Sequence, residues 1–181
     1  VLGIGLDNYL GPEEPFYQKA GIYNYLRINM HPLKIPSDCM RLWAETEFQD
    51  ENSMRNLLNA MIYEGKIMYF VKQMLPGEPD SLIWGFTSSQ MKFCVNNERQ
   101  MWTYLVEYKL LFVTDRFVIN KFIREGPFTK DFSPESPARA ATWIGYRIIE
   151  KYMYRNKGFS MDDLMKENDY QKILSLSGYN P

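Results

Sequence analysis

The sequence predicts a mainly α-helical fold, a single multi-helix domain over residues 1–181. Three observations carry that prediction. Apolar residues recur at steps of three and four along several stretches, which lines one face of a helix. Start and stop signals punctuate the chain: Thr87 with Gln90 three residues on, Ser160 with Asp163, then Pro76-Gly77 and Gly126-Pro127. No internal repeat and no low-complexity linker divides it. An α+β variant stays open at the N-terminus, where VLGIGL (residues 1–6) has the apolar alternation of a short strand, weakened by Gly3 and Gly5.

Taken in order, Pro12 and Pro15 place a loop after that segment, carrying Asp7, Tyr9, Glu13, Glu14 and Tyr17. Gly3-Ile4-Gly5 imitates a dinucleotide fingerprint, but position 8 is Asn and no helix starts in register. Residues 23–27 suit a short helix, and His31 before Pro32 is biased to an extended conformation. A helix begins at Ser37 or Asp38, just after Pro36, and runs through CMRLWAETEFQ with Met40, Trp43 and Phe48 inward. Asn52 or Ser53 then caps the central helix, residues 54–75, which stops at Leu75-Pro76-Gly77. From the Thr87 box grows a long helix over about 88–112, with Phe93, Trp102, Leu105, Val106 and Leu110 inward. Thr114 caps a shorter one over 115–124, and PFTKDFSPESP follows as an extended loop. Ser136 caps a helix with Pro137 at its first position, where the missing N–H costs nothing. Ala138, Ala141, Ile144, Gly145, Ile148, Ile149 and Tyr152 form its inner face, and the small residues permit close packing. After Lys157-Gly158 comes the short helix DDLMKE and a tail, QKILSLSGYNP, that docks or frays.

The central helix holds the best functional clue. Leu57, Leu58, Met61, Ile62, Gly65, Met68 and Tyr69 share one face. Glu64 lies on that face too, about 20° from Leu57 and about 40° from Met68 at ~100° per residue. A carboxylate there needs a cation, donors or a proton, because an unpaired buried charge is costly. Arg41 and Arg147 are the expected partners. Gly65 weakens the helix by roughly 1 kcal/mol relative to Ala, so its use points to close approach of another backbone.

Composition narrows the function. The chain has 45% hydrophobic and 24% charged residues, and a net charge of −1 from 21 basic and 22 acidic side chains interspersed along it. No basic stripe marks a nucleic-acid surface, and no apolar run approaches the ~20 residues a membrane span needs. Val1 in place of a start methionine leads us to expect an upstream piece. Cys39 and Cys94 sit in apolar helical patterns and read as two reduced core thiols. His31 is the only histidine, so no metal and no cofactor is expected. Phosphate-loop, HExxH and GxSxG motifs are all missing from the sequence. What remains is carboxylate chemistry: Glu45 and Glu64, or Asp7 with either, make an acid–base pair if they meet in a cleft. Asp7, Trp43, Tyr146 and Arg147 are the candidate binding residues. The aromatics Tyr9, Tyr17, Tyr63, Trp84, Trp102, Trp143 and Tyr146 read mostly as core at helical spacing.

Several stretches together resemble the gliding-motility lipoprotein GldB family of Bacteroidetes: IGLDNYLG, MIYEGKIMYF, NERQMWTYLVEYKLLF with TDR, PFTKDFSPESPARAATWIGYRIIEKYM and the terminal QKIL. They run in the family's order over nearly the whole chain. The resemblance implies a cell-envelope domain, lipid-anchored at the outer membrane on its periplasmic side or surface, through an upstream anchor. It also implies a non-catalytic role exercised through other envelope proteins or cell-wall components. A more distant likeness is to zincin-like zinc-dependent proteases, which carry HExxH, then an EG pair, then a GY-containing helix. Those positions fall on Ala44-Glu45-Thr46-Glu47-Phe48, Glu64-Gly65 and Gly145-Tyr146. Ala44 and Phe48 replace both ligand histidines, so this likeness implies a protease-shaped scaffold without its metal, with a hydrolase using Glu45 and Glu64 as the alternative.

Overall fold

A computed structural model describes residues 3–181. Among them eleven α-helices and three 3-10 turns follow one another, and no strand forms among the described residues. The helices are α1 (Pro15–Lys19), α2 (Asn24–Arg27), α3 (Ile35–Glu47), α4 (Leu57–Met74), α5 (Asp80–Trp84) and α6 (Ser88–Asn96). After them come α7 (Glu98–Glu107), α8 (Arg116–Ile123), α9 (Ala140–Arg155), α10 (Met161–Lys166) and α11 (Tyr170–Ser177).

The core grows from the α4–α9 pair, the most extensive helix contact in the molecule. Twelve of the eighteen residues of α4 are buried, so it is a helix enclosed on almost every side rather than a surface amphipath. Leu57, Leu58, Met61, Ile62 and Met68 are buried as their spacing predicts, each contributing roughly 1.5–3 kcal/mol of burial. Gly65 does what its helix cost implied. A Cβ on it would lie 2.3 Å from the carbonyl carbon of Gly145, and one on Gly145 would lie 1.7 Å from the Met61 carbonyl oxygen. The two backbones therefore touch, and α4 and α9 cross at a glycine pair. α3 packs on α4, α8 packs on α4 and α9, and α11 docks on α9 and α4, so the tail is ordered onto the core. Lys66 is buried with its ammonium donating to the Met165 and Glu167 carbonyls at 2.9 and 2.8 Å. It thereby satisfies the C-terminal carbonyls of α10, and burial pulls its pKa down to about 8.

Several expectations need correction. Of the strand expected over 1–6, residues 1–2 lie outside the described residues and residues 3–6 form none, Leu6–Asn8 closing a 3-10 turn instead. Tyr17 fixes that loop by donating to the Asp7 carbonyl and accepting from the Leu10 N–H, contacts from distant tyrosine chemistry rather than local pattern. The long helix over 88–112 is two helices, because Asn97 turns its side-chain amide back to the Phe93 carbonyl and leaves helical geometry. Val106 is consequently exposed, as is Trp43, which lies on the surface stacked on Phe70. Asn56 caps α4 and Asp115 caps α8, one to four residues from the expected caps. α9 starts at Ala140, since Ser136 is spent on Thr129 and Ser133 and caps nothing. The capping boxes at Thr87 and Ser160 form as the sequence predicts.

Candidate functional site

α3 and α4 run past each other so that their acidic residues face one arginine. Arg41 and Glu45 are four apart on α3, which puts both on one side of that helix. Arg41 Nε donates to Glu45 Oε1 at 2.7 Å, and its Nη2 donates to Glu64 Oε2 at 2.9 Å across to α4. Glu64 is half-buried, its side chain only 15% exposed, and of the two cations expected for it Arg41 is its partner, while Arg147 pairs elsewhere. Burial raises the Glu64 pKa above the ordinary carboxylate value, and Arg41 works against that rise. Burial also opposes the charge on Arg41, yet Glu64 and Glu45 outweigh it and hold the guanidinium charged. The carboxylates thus meet through a permanent cation placed between them. Among the described residues no three His, Cys, Asp or Glu side chains converge in a group able to hold a metal ion.

A second network of the same composition lies on the other side of the crossing. Arg147 on α9 pairs with Glu98 of α7 through Nε, at 3.1 Å, and with Glu150 through Nη1. The Tyr146 hydroxyl donates to Glu150 at 2.6 Å, and the Tyr179 hydroxyl donates to Glu98 at 2.9 Å. Burial and the bond to Glu150 push the Tyr146 phenol well above its ordinary pKa, so it stays a donor. This network floors a groove of about 650 Å³, within the range of small-molecule sites. Tyr69, Tyr154, Phe159 and Tyr179 line it, with Lys151 and Lys157. Lys157 stands over the Tyr154 ring at 5.7 Å and Lys151 over Tyr179 at 6.0 Å. Among the described residues neither lysine has a carboxylate within ion-pair distance.

The candidates therefore separate. Glu45 and Glu64 come together; Tyr146 and Arg147 share the groove network; Asp7 sits exposed on the N-terminal turn, and the exposed Trp43 packs over Phe48 and the buried Phe70. Sequence reasoning missed Glu98, Glu150 and Tyr179 in the groove, and Lys34, Glu125 and Arg139 beside Arg41. Helical spacing signals some of them: Tyr146–Glu150 and Lys34–Asp38 are both four apart. Nothing local signals Arg139, which is buried at the N-terminal edge of α9 with φ +57. Cys39 is half-buried and Cys94 buried, both free, and burial pushes the Cys94 thiol up to about 12.

No curated protein and no solved structure matches the chain, so the zincin-like likeness finds no support there. One family model does match, that of the gliding motility protein GldB, and it covers residues 1–181. No helix among the described residues is long and apolar enough to cross a membrane. With the match running through both charged networks and the glycine crossing between them, the chain belongs to the gliding-motility GldB lipoprotein family.

Proposed function

We propose that this is a lipid-anchored cell-envelope domain that acts by binding, without catalysing a reaction, and that the groove over Arg147 is where it binds. The observation that carries this reading is the division of labour in the groove. Its two acids are consumed by Arg147, Tyr146 and Tyr179, while Lys151 and Lys157 stand unneutralised over aromatic rings at its rim. Such a surface suits a partner with acidic groups set beside sugar or apolar faces, supplied by another envelope protein or a cell-wall component. The outer membrane of a Bacteroidetes cell is the membrane this reading assigns to it. Titration with solubilised cell-wall fragments, and crosslinking to purified envelope proteins, tests the assignment. Lys157→Glu should weaken binding about ten-fold or more with thermal stability unchanged, a loss of ~1.4 kcal/mol. Binding indifferent to Lys157→Glu, Lys151→Glu and Tyr154→Ala would overturn it.

The second reading, a peptidase-like hydrolase using Glu45 and Glu64, draws on the raised pKa of Glu64, a property of general acids. Against it stands Arg41, which engages both carboxylates and leaves neither poised toward a substrate. Hydrolysis of wall fragments or peptides by the purified domain, abolished by Glu64→Gln, would replace the binding reading with this one.

A further inference from the structure

α8 is covered on one side only. Val118, Ile119, Phe122 and Ile123 are buried or half-buried on the side where the helix packs on α4 and α9. At ~100° per residue, Arg116, Phe117, Asn120, Lys121 and the C-cap residue Arg124 fall in the opposite sector, about 140° wide. All of these but Asn120 are exposed.

That outer face is basic. Among the described residues Arg116, Lys121 and Arg124 have no carboxylate within ion-pair distance. The acids nearest in the chain stand at the two ends of the helix, and both are engaged. Asp115 accepts from the Phe117 and Val118 N–H groups at 2.7 and 3.4 Å, and Glu125 pairs with Arg139 at 2.8 Å. Arg124 also helps hold down the pKa of Glu64, so Arg116 and Lys121 are the cations the face gives most fully to solvent. Phe117 stands in the middle of the sector, 74% exposed, with Lys121 Nζ 5.5 Å from its ring centre. Among the described residues no other large side chain without a polar atom is so exposed. Phe112, 57% exposed, precedes it by five residues, no more than about 18 Å of extended chain. An apolar residue exposed alone is ordinary, but one set among unpaired cations on a helix has a physical use. A soluble anion would use the cations and leave the ring in water. An anionic bilayer uses both: its headgroups pair with the cations, whose alkyl stems lie along the interface, and its acyl boundary takes the ring. A bilayer also needs no shaped complement, which suits a convex helix face with one projecting ring.

We propose that the outer face of α8 is a docking surface for an anionic lipid bilayer, with Phe117 entering the headgroup boundary and Arg116, Lys121 and Arg124 on lipid phosphates. The contact is separate from the groove over Arg147 and uses only side chains of α8 and its C-cap. A lipid anchor, as in the reading above, supplies nearness to a membrane, and the α8 face then fixes which side of the domain lies against it. Three cations and one ring bind weakly by themselves, at roughly millimolar lipid.

The test is co-sedimentation of the purified domain with vesicles of pure phosphatidylcholine, and with vesicles in which about one-third of the lipid is phosphatidylglycerol. At low salt the wild type should be half bound at roughly millimolar anionic lipid and stay free of the neutral vesicles. Lys121→Glu should weaken partitioning about ten-fold or more, since it removes an attraction and adds a repulsion. Phe117→Ala should weaken it about five-fold. Both variants should keep the wild-type Tm, because both side chains lie outside the core. Lys157→Glu, which disables the groove, should leave vesicle binding unchanged, so the two proposals fail separately. Wild-type protein that stays in solution at about 10 mM anionic lipid overturns the proposal without recourse to any variant. So does partitioning indifferent to Lys121→Glu, or partitioning abolished by Lys157→Glu. Partitioning indifferent to Phe117→Ala overturns it too, because the face would then hold any polyanion by charge alone.

Discussion

Two arginines in this molecule each sit between two glutamates, and they do different work. Arg41 joins Glu45 and Glu64 between α3 and α4; Arg147 joins Glu98 and Glu150 between α7 and α9. Both are mounted on the same joint, since Glu64 precedes Gly65 and Arg147 follows Gly145 by two residues. The chemistry is the same and the surroundings are not. Each arginine holds one acid that is 15% exposed, Glu64 or Glu98. The Arg41 side chain is itself 27% exposed, whereas Arg147 is 41% exposed at the floor of an open groove, with Tyr179 as a second donor to Glu98. Where water is scarce, removing one charge leaves its partner stranded and the network holds the fold. Where water is plentiful, the same pairing is worth little to stability and serves to position groups for something outside the molecule.

The sharpest way to break the comparison is to move the joint that both networks share. Gly145→Ala gains about 1 kcal/mol of helix propensity. It also places a methyl 1.7 Å from the Met61 carbonyl oxygen, a backbone atom that no rotamer change can move aside. The helices must separate along their whole contact, so the clash wins, by about 4 kcal/mol or more. Denaturant unfolding should show that loss or an unfolded protein. A variant within 1 kcal/mol of wild type would mean that the crossing does not hold both networks in register.

Next in size is Arg41→Met. Glu64 then loses its cation while remaining half-buried, and the expected cost at neutral pH is about 3 kcal/mol. The double variant Arg41→Met/Glu64→Leu should return to within about 1 kcal/mol of wild type, because the stranded charge goes with its partner. The pH dependence has a definite sign. The Glu64 pKa is raised on folding by burial, so the folded state binds its proton more tightly than the unfolded one. The penalty is absent below the unfolded value near 4.5 and complete above the folded value. Without Arg41 the folded value rises further, and the gap between variant and wild type should close as pH falls toward 4.5. A gap constant from pH 4 to pH 7 would show that Glu64 is not the group left stranded.

What the sequence made legible follows the same division. Periodicity placed Glu64 on the buried face of α4, and the cost of Gly65 announced the backbone contact, because both signals are local and large. Arg41 and Arg147 were the two cations expected for Glu64, and folding selects Arg41. Local pattern failed where one tertiary bond redirected a segment. Tyr17 pins the N-terminal turn that alternation read as strand, Asn97 splits a helix that apolar spacing carried straight through, and Ser136 is drawn away from its cap by Thr129. Arg139 and Glu125 meet across fourteen residues of loop and helix edge, a separation with no period to betray it. The groove was hidden for a similar reason: its lysines and aromatics come from α4, α9, the turn after α9 and the C-terminal segment, and only folding brings them together.

The smallest effect is the one that decides whether the two networks differ in kind. Arg147→Met removes ion pairs to Glu98 and Glu150 from a site open to water, where such pairs contribute about 0.5 kcal/mol or less. The released carboxylates do not become stranded, because Tyr179 still donates to Glu98, which is as enclosed as Glu64, and Tyr146 to the more open Glu150. Stability should therefore be unchanged within about 0.5 kcal/mol, with none of the acid-dependent recovery expected of Arg41→Met. The charge change falls on the groove instead. Two neutralised acids become two free ones beneath Lys151 and Lys157, which draws those lysines inward and repels an acidic partner, so affinity should fall by about ten-fold. A stability loss near 3 kcal/mol with binding untouched would make Arg147 a second structural pair. In that case burial would not be what separates the two arginines.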